Sequence, residues 1–254
     1  MTLSRDTFYD LFSTGLSANG DALQAYCTRD ISDRFYALTE EMLRVNSFMN
    51  VTAITEPADI IIKHYADCAR IAPLLPAGAH LCDVGTGGGF PSLPAAILRP
   101  DVTITAVDST AKKLNYVAQT ARLLGLDNLT TKAARAEELG KQPEFREAFD
   151  IVTARAVARM NVLCEWCLPL VKKDGHFLAM KGRDGAAEYE KAKNAIDILG
   201  GITISCDSFL LRDPFSGGSA DNDAMARTLI LVKKRQFTPK QYPRGNAQIS
   251  KKPL

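Results

Sequence analysis

The sequence predicts an α/β fold whose mostly parallel, seven-stranded sheet ends in an antiparallel hairpin at one edge. From His80 onward, short apolar segments alternate with amphipathic ones, which is the pattern of right-handed βαβ units. One of these apolar segments runs directly into Gly87-Gly88-Gly89 and then Pro91, as at a strand, loop and helix junction. The last two apolar segments, 202–211 and 228–232, are joined by a loop rich in Gly, Ser, Asp and Asn, which predicts the hairpin.

Residues 1–75 are predicted to form a smaller helical part. Ser17 and Asp21 are candidate starts of one helix, and Asp33 is a candidate N-cap of the next. The apolar residues after that cap recur at helical spacing, at Phe35, Leu38, Met42 and Val45. A third helix is expected to begin near Pro57, because proline suits a first helical turn.

Residues 76–233 are predicted to form the α/β domain. Its first five strands are expected at 81–84, 102–107, 129–133, 150–154 and 176–180. The helix after the second strand has a buried stripe formed by Leu114, Val117, Ala118, Ala121 and Leu124. Gly125 is expected to stop that helix, and another helix is expected over 184–199.

The glycine loop indicates a nucleotide cradle. Glycine has no Cβ, so a ligand can approach the backbone closely. Asp108 follows the next strand, at the place where a carboxylate binds ribose hydroxyls in doubly wound sheets. A dinucleotide fingerprint is excluded because Phe90 or Ser92 stands where its third glycine belongs, and no Gly-Lys-Ser/Thr of a P-loop follows. The remaining pattern resembles the first motif of S-adenosylmethionine (AdoMet) methyltransferases; the alternative is an ordinary strand-to-helix turn.

Composition predicts a soluble chain in the cytoplasm. The 254 residues contain no apolar run of the roughly 18 to 20 residues that a membrane span needs. The N-terminus lacks the uninterrupted apolar core of a secretory signal. Cys164-Glu-Trp-Cys167 has neither a second cysteine pair nor a nearby histidine, so we expect one turn of a helix there and no metal site.

The basic charge is concentrated at the C-terminal end. From Lys233 onward the chain has seven basic residues and no acidic one, although the net charge of the whole chain is only +2. Residues 234–254 are therefore predicted to form a basic, flexible tail that can neutralise phosphates. The alternative is a solvated end that only aids solubility.

Several motifs in order resemble those of the RsmG family, also called GidB, whose members are bacterial 16S rRNA guanine-N7 methyltransferases. The similarity extends from about Arg44 to Lys181, and the final Lys-Lys-Pro-Leu254 is also similar to tails in this family. The matching motifs are Asn50-Val-Thr52, Lys63-His64 with Asp67, Asp83-Val-Gly-Thr-Gly-Gly-Gly-Phe-Pro91, Val107-Asp-Ser109, Ala134-Arg-Ala-Glu137, Arg155-Ala156 and Lys181-Gly182.

The resemblance implies AdoMet as cofactor and a Rossmann-like class I methyltransferase fold. It implies that Arg155 closes the site, holding either the methionine carboxylate or an RNA phosphate. The predicted cofactor-binding residues are Gly85, Gly87, Phe90, Asp108, Ala136, Glu137 and Arg155, of which Ala136 and Glu137 are expected to meet the adenine.

No catalytic residue is assigned, and the candidates are Asn50, His64, Arg155 and Lys181. For His64 and Asp67 we favour a pair on a helix face that docks the N-terminal helices on the α/β domain, with a supporting role for Asn50 and His64 near the pocket rim. Lys181 is expected either to touch RNA or to pair with an acid. Three positions depart from the family pattern: Ser92 replaces a glycine, Val51 a leucine and Ala154 a serine.

The absence of certain motifs helps to identify which atom of the RNA accepts the methyl group. The stretch Thr153–Ala158 has no Asn/Asp-Pro-Pro-Tyr/Phe run of the kind that amine methylation often uses, and no Pro-Cys dipeptide supplies a nucleophile for pyrimidine C5. Guanine N7 already presents a lone pair and needs no general base. We therefore predict methyl transfer to N7 of a guanine in a 16S rRNA loop, with 16S rRNA or the small ribosomal subunit as partner and no requirement for an oligomer. The alternatives are a small-molecule methyltransferase and a non-catalytic AdoMet- or RNA-binding assembly factor.

Overall fold

The computed structural model describes residues 3–216 and 225–254. Its seven-stranded sheet has the order β3-β2-β1-β4-β5-β7-β6, which confirms the predicted fold class. The strands are β1 His80–Val84, β2 Thr103–Asp108, β3 Leu129–Ala133, β4 Phe149–Arg155, β5 Val171–Lys181, β6 Gly201–Leu210 and β7 Ala226–Lys234. Part of the loop predicted between the last two strands, 217–224, lies outside the described residues.

The sheet is parallel from β3 to β5, and β7 pairs antiparallel with both β5 and β6. The predicted hairpin at the sheet edge is therefore confirmed. β1 lies between β2 and β4, so the chain order reverses there. In open α/β sheets such a switch point leaves a crevice at the carboxyl ends of the strands.

The helices cover both faces of the sheet. The helix after β2 ends just before Gly125, whose φ of +63° suits glycine, as predicted. The α-helices are α1 Arg5–Ala18, α2 Arg29–Asn46, α3, α4 Ser92–Leu98, α5 Ala111–Leu123, α6 Ala136–Leu139, α7 Met160–Cys167, α8 Gly185–Ile198 and α9 Asn246–Lys251. The helix α3 has three consecutive segments, Pro57–Ile60, Ile61–Ala66 and Asp67–Ala69, and the middle one is π-helical.

The predicted helix starts at Ser17 and Asp33 were wrong. α1 begins after Ser4, whose side chain accepts from the backbone N–H of Thr7, so Ser17 lies in the last turn and Asp21 begins a separate 3₁₀ segment. α2 begins after Thr28, and Asp33 lies inside it. Serine, threonine and aspartate all suit an N-cap, and the true caps lie upstream of the ones chosen.

The N-terminal helices pack on one face of the sheet. Their apolar residues, such as Phe12 and Phe35, form one core cluster with residues of β1, β2 and α4. A second cluster on the other face contains apolar residues of α7 and α8. Cys164 and Cys167 are buried in α7, as expected for one helical turn. Within residues 3–216 and 225–254, no helix combines the length and hydropathy of a membrane span.

The prediction of a flexible tail over 234–254 differs from the structure. Lys234 is a fully buried member of β7, and its ammonium group pairs with Glu147. Further on, Ile249 of α9 is fully buried, and Leu254 packs against the second core cluster. Charge and Pro/Gln/Gly content indicated a free arm, but apolar residues at these positions dock the segment on the α/β domain.

Candidate active site

The glycine loop after β1 has a backbone that only glycine adopts easily. Gly85, Gly87 and Gly89 have φ values of +74°, +57° and +86°. A Cβ on Gly85 would lie 2.6 Å from a methyl group of Val157. The loop therefore requires glycine both for its dihedral angles and for the space that the segment after β4 occupies.

Asp83, at the end of β1, fixes the loop through hydrogen bonds to Ser92. Its fully buried carboxylate accepts the backbone N–H of Ser92 at 3.2 Å and also the hydroxyl of Ser92. The hydroxyl of Thr86 lies 2.7 Å from that of Ser92 and completes the chain of hydrogen bonds. Burial raises the pKa of Asp83 to about 6. The serine that replaces the family's usual glycine is thus accommodated as a hydrogen-bond partner of Asp83.

Asp108 lies at the carboxyl end of β2 and is positioned by two backbone groups. Its Oδ2 accepts the N–H of Gly87 at 3.0 Å, and its Oδ1 accepts the N–H of Thr110 at 2.8 Å. A carboxylate oxygen has more than one lone pair, so both oxygens can still accept from ribose hydroxyls. The geometry fits the predicted role of Asp108.

A first cleft opens at the carboxyl ends of β1 and β2. Four of the predicted cofactor residues, Gly85, Asp108, Ala136 and Glu137, line it. Its wall is formed by the side chains or backbone of Val84, Gly85, Val107, Asp108, Ser109, Ala134, Arg135, Ala136, Glu137, Val157, Trp166 and Asn246.

Sequence reasoning missed Val157, Trp166 and Asn246 in the wall of the first cleft. No motif distinguished them, because they come from three segments that only the fold brings together. Ala154, where the family usually has serine, is fully buried in the second core cluster and does not line this cleft.

Phe90 was expected to line the cofactor pocket, but the structure places it elsewhere. Its ring stacks on His64 with centroids 4.5 Å apart and packs in the N-terminal core cluster. Gly87 does not line the cleft directly and acts through its hydrogen bond to Asp108. Phe90 thus connects the glycine loop to α3, since the ring lies between them.

Arg155, at the end of β4, is held in a buried polar cluster. Its guanidinium pairs with Asp67 at 2.8 Å and donates to His64 Nδ1 at 2.8 Å. Arg227 of β7 reaches the same carboxylate at 3.4 Å. Arg155 was predicted to close the cofactor site, but it does not line the first cleft, because Asp67 and His64 hold it on the side of α3.

These contacts define the state of His64. Because Nδ1 accepts from Arg155, the ring proton lies on Nε2, which donates to the hydroxyl of Thr52 at 2.8 Å. Burial, followed by the charges of Arg155 and Arg227, lowers the pKa of His64 to about 3. His64 is therefore neutral at physiological pH, and both of its nitrogens have partners.

Lys181 pairs with an acid, which is one of its two predicted alternatives. Its ammonium group lies 2.7 Å from Glu188 and donates to the carbonyl of Ala158 at 2.6 Å. Glu188 also accepts the N–H of Met160. Lys181 thereby ties the segment after β4 to α8. Asn50, the remaining candidate, is exposed and lines neither cleft described here.

A second cleft of about 390 Å³ is lined by Arg155 and Ala156, and the next residue, Val157, lines the first, so the two clefts meet along this segment. Four cationic side chains and one carboxylate are among the residues that line it. The lining residues are Ile54, Lys63, His64, Asp67, Arg155, Ala156, Met180, Lys181, Gly182 and Arg227. These cations are paired with the carboxylates of Asp59, Asp67 and Glu188, which leaves a small excess of positive charge at the cleft.

Comparison of the sequence with known proteins gives a consistent result. Residues 32–213 match the model of the GidB family, described as rRNA small subunit methyltransferase G. A protein named ribosomal RNA small subunit methyltransferase G from Lactobacillus delbrueckii subsp. bulgaricus is 44% identical over 227 residues, which cover 87% of this chain and 90% of the relative. A protein of the same name from Oceanobacillus iheyensis is 41% identical over 88% of this chain and 91% of its own length.

Solved structures share the fold at low sequence identity. A SAM-dependent O-methyltransferase from Thermotoga maritima aligns with a TM-score of 0.53 and 17% identity, over 80% of this chain and 72% of that one. Precorrin-6y C5,15-methyltransferase from Geobacter metallireducens aligns with a TM-score of 0.50 and 17% identity, over 65% and 85%. These likenesses establish the class I methyltransferase fold.

Proposed function

The chain belongs to the rRNA small subunit methyltransferase G family, and from that premise we propose that it methylates N7 of a guanine in a loop of 16S ribosomal RNA. AdoMet is the methyl donor, as in other methyltransferases of this fold and family. The observation that carries the proposal is the pair of adjoining clefts. One has the carboxylate of Asp108 at the end of β2, and the other has four cations among its ten lining residues.

We assign AdoMet to the first cleft. When bound, this cofactor supplies a methyl group attached to a sulfonium. Asp108 is fixed by Gly87 and Thr110 and is ready to accept from ribose hydroxyls. The backbone at Ala136 and the buried side chain of Glu137 are available for the adenine edge. All three positions come from one chain, which supports the proposal that a monomer can bind the cofactor.

The second cleft is where we place the target guanine. Its N7 has a lone pair and no proton to lose, so the protein has to position the acceptor and need not deprotonate it. The neutral, doubly hydrogen-bonded His64 supports this, because it has no free nitrogen to act as a base. Positioning of two reactants contributes on the order of 7 to 11 kcal/mol to such a step. We therefore assign Arg155 and His64 to the architecture of the cleft wall.

The identity of the acceptor atom limits the shape of the RNA. N7 lies on the Hoogsteen edge, which the deep, narrow major groove of A-form RNA makes inaccessible to side chains. The guanine is therefore expected in a loop or another unpaired segment. Lys63 and Arg227 line the second cleft and lie where they can attract the neighbouring phosphates. With a ribosomal substrate, we also propose that the protein acts in the cytoplasm.

The test is methyl transfer from labelled AdoMet to small-subunit rRNA prepared from cells that lack the protein, followed by mapping of 7-methylguanine. The wild-type protein should label one guanine. Asp108→Ala should lose AdoMet affinity and labelling together, because the ribose contact and the support of Gly87 are both removed. Asp127→Ala is the matched control, since this exposed aspartate lies outside both clefts.

Two other outcomes would favour the alternatives. Labelling of small metabolites but not of rRNA would indicate a small-molecule methyltransferase. Tight AdoMet binding without transfer to naked rRNA, the 30S subunit or an assembly intermediate would indicate a non-catalytic assembly factor.

A further inference from the structure

The C-terminal segment, residues 235–254, is fixed beside the first cleft by a buried ion pair. Both the backbone N–H and the guanidinium of Arg244 donate to Glu165, at distances between 2.6 and 2.8 Å. The side chain of Glu165 is 0% exposed. Its neighbour in α7, Trp166, lines the first cleft. The ion pair therefore connects the segment to the wall of the cofactor site.

A second anchor holds the same segment further upstream. The guanidinium of Arg146 donates to the carbonyls of Thr238 and Tyr242, each at 2.8 Å, and to that of Gly140 at 3.1 Å. Ile249 is fully buried against the domain. These contacts do not involve the cleft, so the position of α9 is established without a ligand.

The anchors place Asn246 in the wall of the first cleft. Its Oδ1 lies 3.4 Å from the hydroxyl of Ser250, while its amide NH₂ donates to no group among the described residues. The indole N–H of Trp166, in the same wall, is buried and has no hydrogen-bond partner within residues 3–216 and 225–254. A buried donor without a partner, such as this indole N–H, is rare in folded proteins, and the half-exposed amide of Asn246 lies in the same wall with its donors directed to no protein group among the described residues.

The chemistry of an asparagine amide matches the edge of an adenine. The amide offers two N–H donors and one carbonyl acceptor, and the adenine edge presents ring-nitrogen acceptors and an amino donor. Ala136 and Glu137, the residues proposed to meet the adenine, line the same cleft as Asn246.

We infer that the side chain of Asn246 hydrogen-bonds to the adenine of bound AdoMet, so that the C-terminal segment forms part of the cofactor site. The inference rests on the proposed function, because it takes AdoMet as the occupant of the first cleft. It gives the C-terminal segment a binding role distinct from contact with RNA.

The experiment measures AdoMet affinity by calorimetry on full-length protein. Asn246→Ala and Asn246→Asp should each weaken AdoMet binding by roughly threefold to tenfold, since one hydrogen bond is lost and aspartate has no donor. Gln248→Ala is the matched control on the exposed side of the same helix and should bind as the wild type does. In the wild-type protein, AdoMet should also slow the hydrogen exchange of the amides of 244–250.

The outcomes separate this inference from the proposed function. If the wild type binds AdoMet and both Asn246 variants bind within twofold of it, the contact does not exist, and the proposed function still stands. If the wild type does not bind AdoMet at all, the proposed function fails and the inference fails with it. Thermal melts of the variants, compared with the wild type, establish that each is folded.

Discussion

His64 shows how neighbouring side chains determine the protonation of a single residue. Arg155 donates to one ring nitrogen and Thr52 accepts from the other, and the ring stacks on Phe90. Protonation of Nδ1 would place two donors against each other. The histidine that the sequence offered as a catalytic candidate therefore connects α3, β4 and the glycine loop.

We predict that His64 stays neutral from pH 8 to pH 5. The pKa of His64 is lowered to about 3, whereas an unfolded histidine titrates near 6.5, so its contribution to stability is full above pH 6.5 and is lost as the pH falls towards 3. The measurement is the ¹⁵N chemical shifts of the three histidines, with Thr52→Val as a variant that removes the partner of Nε2. A midpoint near pH 6.5 in the wild type would contradict the prediction.

The buried carboxylate of Asp83 should give a pH dependence of the opposite sign. Its pKa is raised to about 6 from an ordinary value of 3.8, so the folded protein holds the proton more tightly than the unfolded chain does. The contribution of protonated Asp83 to stability is full below pH 3.8 and is lost as the pH rises through 6. Asp83→Asn removes this titration and keeps an oxygen that can accept from Ser92.

The difference in unfolding free energy between Asp83→Asn and the wild type should therefore change with pH. Between pH 4 and pH 8, the unfolding free energy of the variant should rise relative to that of the wild type by up to about 3 kcal/mol. This follows from the rise in the pKa of Asp83, because each pKa unit corresponds to about 1.36 kcal/mol. Urea melts at several pH values give the difference, and any fixed cost of the buried amide cancels in the slope. A constant difference across this range would show that Asp83 titrates normally.

At the scale of elements, the α/β pattern was predicted more accurately than the helix starts and the C-terminal segment. Alternating apolar segments locate the strands because each parallel strand is buried on both faces. The start of α1 at Ser4 was missed, since local sequence offers several equivalent caps. The position of Arg155 was missed because its partner Asp67 is distant in sequence. That of Asn246 was missed because the segment that carries it is fixed by Arg244 and the distant Glu165.

The salt bridge between Lys181 of β5 and Glu188 of α8 should stabilise the segment after β4. Lys181→Met leaves Glu188 without its cation and frees the carbonyl of Ala158, so we expect a loss of about 2 to 4 kcal/mol of stability and a lower kcat. A double-mutant cycle with Glu188→Gln should give a coupling of about 1 to 3 kcal/mol in urea melts. Lys191→Met, at an exposed site on α8, is the control.

Measurements of RNA affinity on the Lys181→Met variant also distinguish a structural lysine from one that contacts a phosphate. A structural lysine leaves the affinity for RNA and its dependence on salt unchanged, because its ammonium group is engaged by Glu188 and the carbonyl of Ala158. If Lys181→Met kept full stability and lost salt dependence instead, Lys181 would be a phosphate contact and the assignment to the salt bridge would be wrong.

For the whole molecule, both ends of the chain converge on the α/β domain. α3 supplies His64 and Asp67 to the second cleft, and the C-terminal segment supplies Asn246 to the first. Three of the basic residues near the C-terminus are engaged within the protein: Lys233 with Asp174, Lys234 with Glu147 and Arg244 with Glu165. The exposed ones are Arg235, Lys240, Lys251 and Lys252.

Only these four exposed cations remain to carry the RNA-binding role that the sequence suggested for the whole tail. Replacing all four with glutamine should weaken binding to small-subunit rRNA and reduce the slope of log affinity against log salt by up to about 3, since each contact with a single-strand phosphate contributes about 0.7. AdoMet affinity should not change, because none of the four lines the first cleft. The control replaces four exposed cations elsewhere, Arg122, Lys141, Lys173 and Lys191, and loses the same formal charge. Equal slopes for the two quadruple variants would mean that net charge alone attracts the RNA, and that the exposed face of the docked segment makes no phosphate contacts of its own.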